Sequence, residues 1–132
     1  MNSKIVTFYL VVVGLIFFGF GMAYFLYPVT MIEFSGMKIP TATARADTWA
    51  IYAGIQMGFG LFLLACSRRL ELFEAGLLSI AFVFGGVAIG RTLGIFYFSA
   101  FDQYSLAALV FEWPGALISI WLLAKSKKTN NK

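Results

Sequence analysis

Two ionisable residues, Arg91 and Glu112, stand within long apolar stretches of this chain, and they are the side chains best placed to do chemistry. A guanidinium donates five hydrogen bonds and can hold a carboxylate or phosphate, whereas a carboxylate can orient it or carry a proton. A charge near the centre of a membrane helix costs roughly 2.5 to 3.5 kcal/mol, so such residues mark a candidate site. Three roles are open for this pair: a structural ion pair, a ligand or lipid-headgroup site, and a proton relay or catalytic site.

The composition indicates that these stretches lie in a membrane. Of the 132 residues, 61% are hydrophobic, 18% are aromatic and only 12% are charged, which is more apolar than a soluble domain. The net charge of +4 is concentrated at the end of the chain, and a basic tail at a membrane surface explains it without a nucleic-acid partner. With one cysteine and no histidine, we expect no metal site and no cofactor. The tail lysines are Lys125, Lys127, Lys128 and Lys132.

Four apolar stretches predict an all-α polytopic membrane protein, a four-helix transmembrane bundle that forms a single domain over residues 1–132. Each stretch is close to the roughly 20 residues that a helix needs to cross a bilayer. The predicted spans cover about residues 5–27, 48–66, 72–97 and 104–124, with a loop at 28–47 and a basic tail at 125–132. The first stretch exceeds the apolar core of about 7–15 residues typical of a signal peptide, so we expect a retained helix.

The distribution of lysine and arginine predicts the orientation. Lys4, Arg68, Arg69 and the tail lysines fall on one side of the predicted membrane, and only Lys38 and Arg45 fall on the other. Cytoplasmic loops carry the excess of basic residues, so both termini should be cytoplasmic. The 28–47 loop then faces outward, either as an irregular connector or with a helix capped by Thr41 or Thr43.

Counting at 1.5 Å per residue predicts that Gln56, Arg91 and Glu112 share one layer, about 9 to 12 Å below the outer surface. On the second span, Arg45, Trp49, Tyr52 and Gln56 are spaced by four, three and four residues, as on one helix face. We therefore expect an outward-facing site that binds an amphiphile or anionic group. Its members would be Arg45, Trp49, Tyr52, Gln56, Arg91 and Glu112.

The attraction between Arg91 and Glu112 does not by itself offset the cost of inserting both charges in the membrane. At about 4 Å and an effective dielectric near 20 the Arg91–Glu112 attraction is about 4 kcal/mol, against roughly 5 to 7 kcal/mol for inserting both charges. Further hydrogen bonds, water or a bound anion would make up the difference. Thr92 and Trp113, with Tyr52 and Gln56, are candidate donors or acceptors.

Glycines are predicted to let the helices pack closely, because small residues allow membrane helices to approach. On the fourth span, the small residues that share a face with Glu112 predict that this face points inward. Pro114 lacks an amide hydrogen and predicts a kink close to Glu112. The packing glycines are Gly54, Gly58, Gly60, Gly86, Gly90 and Gly94.

Several motifs together resemble a known family. They are Tyr27-Pro28 at the end of the first span, Ala44-Arg45-Ala46, the glycine-rich segment 54–60, Gly90-Arg91-Thr-Leu-Gly94 and the intramembrane Glu112. The chain resembles small bacterial four-span membrane proteins of unknown function, broadly similar to the DoxX-like group. The resemblance implies a helical bundle with polar residues at Arg45, Arg91 and Glu112 in a bacterial plasma membrane, and it implies no particular activity.

These observations favour a non-enzymatic binding or accessory protein whose partners are membrane lipids. Assembly into a homo-oligomer or a larger membrane complex is also compatible with the sequence. A proton-coupled transporter, in which Glu112 titrates, and a structural subunit of a complex are the competing hypotheses. An enzyme would require acid-base work by Arg91 and Glu112, because the sequence offers no histidine.

Overall fold

Helices make up nearly all of residues 3–130, the part of the chain that the computed structural model describes, with side chains described for residues 3–126. No strand occurs within these described residues, so the all-α prediction is confirmed. The elements in order are α1 (Ser3–Leu26), α2 (Pro28–Phe34), α3 (Ala42–Asp47), a π-helix (Thr48–Gly54), α4 (Ile55–Cys66), a 3₁₀ turn (Leu70–Leu72), α5 (Phe73–Phe98) and α6 (Gln103–Asn130).

Four helical stretches are long and apolar enough to cross a membrane: Ser3–Leu26, Ala42–Cys66, Leu70–Phe98 and Gln103–Ser126. They confirm the prediction of a four-span membrane protein. Large apolar side chains remain uncovered by the chain itself, and Phe8, Phe82 and Phe111 are 71%, 77% and 74% exposed. Lipid tails cover such side chains in a membrane, because the hydrocarbon is as apolar as they are.

The chain divides into two compact units, one of residues Lys4–Leu70 and one that starts at Glu71. In the first unit, α1 and α4 come into direct backbone contact. A Cβ added at Gly60 would lie 2.6 Å from the carbonyl oxygen of Gly14 and 2.6 Å from the amide nitrogen of Phe18. Only glycine fits there, as is typical where small residues let membrane helices approach.

The segment between α1 and the π-helix folds into two short helices. Pro28 begins α2, where its missing amide hydrogen costs no helical hydrogen bond. Gly36 then adopts φ +78°, a left-handed conformation that glycine tolerates. Of the two predicted caps, Thr41 is the one used: its Oγ1 accepts a 3.1 Å hydrogen bond from the Ala44 amide. The helical stretch that contains the second span therefore begins at Ala42.

A π-helix over Thr48–Gly54 interrupts the second span. Its hydrogen bonds run between residues five apart instead of four, so each residue turns less about the helix axis than in an α-helix. The face shared by Trp49, Tyr52 and Gln56 was predicted from α-helical spacing. In this part of the span, residues spaced by three and four positions therefore need not share one helix face.

The second unit is a hairpin of α5 and α6. Ser99 ends α5 in a left-handed conformation at φ 55°, and the Ala100 amide donates to the Ile95 carbonyl at 3.0 Å. Asp102 then caps α6: its Oδ1 accepts from the Ser105 amide at 2.9 Å, and its Oδ2 accepts from the Ser105 hydroxyl at 2.7 Å. A turn of only a few residues thus joins two long antiparallel helices.

On α6, the face that contains Glu112 is the covered one, and it consists largely of small residues. Glu112, Ala116 and Ser119 are buried. A Cβ at Gly115 would lie 3.1 Å from the Phe84 ring of α5, so this glycine is in close contact with the neighbouring helix. Pro114 lies inside the continuous helix α6.

Of the glycines predicted to pack, Gly60 is in close contact with α1, and the others have more open surroundings. A Cβ at Gly58, Gly86, Gly90 or Gly94 would meet no described atom within 4 Å, and at Gly54 it would only reach ordinary contact, 3.4 Å from the Trp49 carbonyl. Spacing alone identified these stripes, and it does not specify which helix face receives a neighbour. Of the predicted basic tail, residues 131–132 and the side chains of 127–130 lie outside the described part of the chain.

Candidate functional site

Arg91 on α5 and Glu112 on α6 meet across the hairpin. The Nε–H of Arg91 donates to both carboxylate oxygens of Glu112 at 2.9 Å, and Nη2 lies 2.7 Å from Oε1. The Glu112 side chain is 10% exposed and the Arg91 side chain 25% exposed. Both carboxylate oxygens therefore contact the guanidinium in an enclosed position, whereas part of the Arg91 side chain stays accessible.

Tyr104 lies beside the Arg91 guanidinium. The guanidinium carbon is 5.7 Å from the centre of the Tyr104 ring, within the range of a cation–π interaction. Tyr104 is in the first turn of α6, about 12 Å nearer the α5–α6 turn than Glu112 along the helix axis. The Arg91 guanidinium thus lies between a buried carboxylate and the ring of a residue in the first turn of α6.

Thr92 and Trp113 form a second polar contact between the same helices. The Trp113 Nε1–H donates to Thr92 Oγ1 at 3.3 Å, and the Thr92 hydroxyl donates to the Ala88 carbonyl at 2.6 Å. These two residues were candidates for completing the hydrogen bonds of the charged pair. The structure instead pairs them with each other, one residue further along each helix than Arg91 and Glu112.

The remaining donors of Arg91 have room for another acceptor. Among the described side chains, no acceptor forms a hydrogen bond with Nη1. A guanidinium carries five N–H groups, and Nη1 holds two of them. The geometry can therefore present two N–H donors to an oxygen atom that does not belong to this hairpin.

The Asp102 carboxylate contributes a second negative charge near the turn. Its pKa is lowered by the backbone amide of Ser105 and then by the Ser105 hydroxyl, both of which donate to it. Asp102 is exposed, and its charge acts electrostatically on the Arg91 guanidinium. This end of the hairpin thus holds one cation and two anions.

Four of the six predicted site residues lie in the first unit, and each has its own surroundings there. Trp49 packs on Phe25 with ring centres 5.0 Å apart, and Tyr52 stacks on Tyr24 at 5.4 Å. These contacts hold α1 against the π-helix. Arg45 is exposed in the last turn of α3, and Gln56 is half-buried on α4.

Sequence reasoning missed Tyr104 as a partner of Arg91. The available signal was the direction of the arginine side chain, because long cationic side chains in membrane helices extend toward the nearer surface. Counting the depth of the Cα atoms placed the charged pair, but it did not show where the guanidinium ends.

No group of three or more histidine, cysteine, aspartate or glutamate side chains that could hold a metal occurs among the described residues. The only cysteine, Cys66, is buried at the end of α4.

Comparisons with known proteins give one match. No curated protein and no solved structure matches this chain. A family model described as a domain of unknown function, DUF4345, matches residues 5–123, which include all four candidate spans almost completely. The match covers most of the chain, including both Arg91 and Glu112. The chain therefore belongs to the DUF4345 family.

Proposed function

We propose that this four-span membrane protein binds the polar head of an amphiphile at Arg91, as a non-enzymatic binding or accessory protein. The observation that supports this most directly is the geometry of the guanidinium. Glu112 holds it through Nε and Nη2, while Nη1 has no acceptor among the described side chains and a quarter of the side chain is exposed.

In the proposed binding role, Glu112 orients the guanidinium and Arg91 contacts the ligand. Glu112 neutralises the charge and fixes the direction of Arg91, because a carboxylate on the Nε side restrains rotation of the guanidinium plane. Tyr104 covers part of the same group. A guanidinium held in this way donates to phosphate or carbonyl oxygens with little further loss of conformational freedom.

The proposed role also specifies a membrane and an orientation for the protein. We place the protein in a bacterial inner membrane with both termini in the cytoplasm, on the basis of the lysine and arginine distribution. The α5–α6 turn then faces outward, and Arg91 lies in the outer half of the bilayer. A relationship to the DoxX-like group rests only on the motifs around Arg45, Arg91 and Glu112.

A double variant tests binding against a purely structural ion pair. In Arg91→Met/Glu112→Leu both charges are replaced by apolar side chains of similar size, so no unpaired charge is left in the membrane. We expect this variant to fold, with a melting temperature close to that of the wild type. Native mass spectrometry of protein extracted in mild detergent should show bound lipid on the wild type and a clear loss on the double variant.

The control removes an arginine away from the pair. Arg68→Met changes an exposed residue between α4 and α5 and should retain the same lipids as the wild type. If the folded double variant retains the wild-type lipids in the wild-type amount, the pair is structural and the proposal is wrong.

A proton-coupled transporter is the second candidate, because carboxylates enclosed within membrane helices form the proton relays of such proteins, and the Glu112 side chain is only 10% exposed. It requires Glu112 to take up and release a proton during each cycle. Transport in proteoliposomes that follows a pH gradient and disappears in Glu112→Gln would favour it over the binding role.

A further inference from the structure

The charges around Arg91 indicate which class of headgroup fits this end of the hairpin. Glu112 neutralises Arg91 through direct contact, so the pair by itself carries no net charge. Asp102, the cap of α6, adds a negative charge that also acts on the guanidinium. A free anion would therefore be repelled by the net charge of these three groups, although Nη1 can still donate to one of its oxygens.

We propose that Asp102 is the specificity-determining residue of the Arg91 site and selects a zwitterionic phosphodiester headgroup, with phosphate on Arg91 Nη1 and ammonium on the Asp102 carboxylate. This inference rests on the proposed function, because it names the ligand class of the same site.

The positions of the groups match the order of charges in such a headgroup. In a phospholipid the phosphate lies closer to the acyl chains and the ammonium lies further out. In the hairpin the guanidinium extends up to Tyr104 from within α5, and Asp102 precedes Tyr104 by two residues, at the very start of α6. The donor is thus deeper and the acceptor is nearer the surface.

Asp102 retains the capacity to bind an ammonium group. Each of its oxygens already accepts one hydrogen bond from Ser105. A carboxylate oxygen has two lone pairs, so each oxygen can accept a further bond. The side chain is exposed, and an ammonium group can reach it without any rearrangement of the helix cap.

Asp102 distinguishes the two kinds of headgroup by charge. An ammonium group that reaches its carboxylate forms an ion pair, whereas a neutral glycerol headgroup gains no such electrostatic contact.

The test compares two lipids that differ only in the headgroup. The full chain is reconstituted in vesicles that contain equal amounts of phosphatidylethanolamine and phosphatidylglycerol with the same acyl chains, extracted in mild detergent and measured by native mass spectrometry. We expect the wild type to retain phosphatidylethanolamine over phosphatidylglycerol by about threefold, the order that one exposed ion pair supplies.

The decisive variant is Asp102→Asn, because asparagine caps a helix about as well as aspartate but carries no charge. It should keep the fold and lose the preference. Asp47→Asn, at an exposed aspartate at the end of α3, removes the same charge elsewhere and should keep the preference.

The outcomes separate the two proposals. Equal or stronger retention of phosphatidylglycerol that still requires Arg91 overturns the zwitterion inference and leaves the binding function standing. A preference that survives in Asp102→Asn also overturns it, because the charge would not be the cause. Lipid retention that is the same in wild type and Arg91→Met/Glu112→Leu overturns both.

Discussion

Two residues of α6 stabilise the Arg91 guanidinium within the membrane-spanning hairpin. Glu112 supplies the countercharge at 2.7 Å, and Tyr104 supplies a ring face. Neither group occupies Nη1. The partial exposure of Arg91 lowers the cost of inserting its charge, since water or a polar headgroup can reach the guanidinium. A residue placed in this way combines a structural contact with a binding surface.

Asp102 gives a pH-dependent contribution to stability whose sign follows from its hydrogen bonds. The Ser105 amide and hydroxyl lower its pKa in the folded protein, so the ionised form is favoured by folding. The resulting stabilisation is present above the unfolded pKa of about 4 and is lost as the pH falls through the lower folded pKa.

Asp102→Asn is the matched comparison for this effect, because asparagine caps the helix without titrating. We expect the wild type to melt at a higher temperature than Asp102→Asn at pH 7, and the difference to shrink as the pH falls below about 4. Thermal unfolding of both proteins in one detergent across this range measures it. A difference that stays constant down to pH 2 would show that the charge of Asp102 does not contribute.

Among the elements, the second span departs most from its sequence-based description. The spacing of Arg45, Trp49, Tyr52 and Gln56 fits an α-helix, but a π-helix occupies Thr48–Gly54. Stacking of Tyr52 on Tyr24 accompanies this segment. Such contacts join residues that are distant in the sequence, so hydrophobic periodicity alone does not reveal them. The glycine stripes show the same limit, because spacing does not identify the neighbouring helix.

Gly60 and Gly58 on α4 provide a matched pair for the close contact with α1. In Gly60→Ala the new Cβ would be 2.6 Å from backbone atoms of Gly14 and Phe18, which cannot move without displacing a helix. We expect a loss of about 1 to 3 kcal/mol in the free energy of unfolding.

In Gly58→Ala the Cβ meets no described atom within 4 Å, and alanine favours helix over glycine by up to about 1 kcal/mol. Stability should therefore be unchanged or slightly higher. Reversible unfolding of both variants in detergent makes the comparison. Equal destabilisation by the two substitutions would contradict the backbone contact between α1 and α4.

At the scale of the whole molecule, the sequence was sufficient to predict a membrane protein with four spans. The length and apolar composition of a span are set by the bilayer and not by tertiary contacts. The sequence also identified Arg91 and Glu112, since charges in apolar helices are conspicuous. It did not identify Tyr104 as a partner of Arg91 or Gly14 as the position that Gly60 contacts. Those roles depend on side-chain direction and on which helix faces meet.

Orientation in the membrane is the property on which the proposed site depends, because an outward-facing Arg91 requires cytoplasmic termini. Cysteine labelling tests it in a Cys66→Ser background, which removes the chain's only thiol. Met37→Cys, Leu70→Cys and Asn130→Cys replace uncharged residues, so they leave intact the lysines and arginines that set the orientation.

With a membrane-impermeant thiol reagent on intact cells, Met37→Cys should be labelled. Leu70→Cys and Asn130→Cys should react only after the membrane is made permeable, because both lie on the lysine-rich side. The reverse pattern would put the α5–α6 turn in the cytoplasm, so that Arg91, Tyr104 and Asp102 would meet headgroups of the inner leaflet. Labelling of all three positions from outside would mean that the chain inserts in two orientations, and the distribution of basic residues would then not determine its topology.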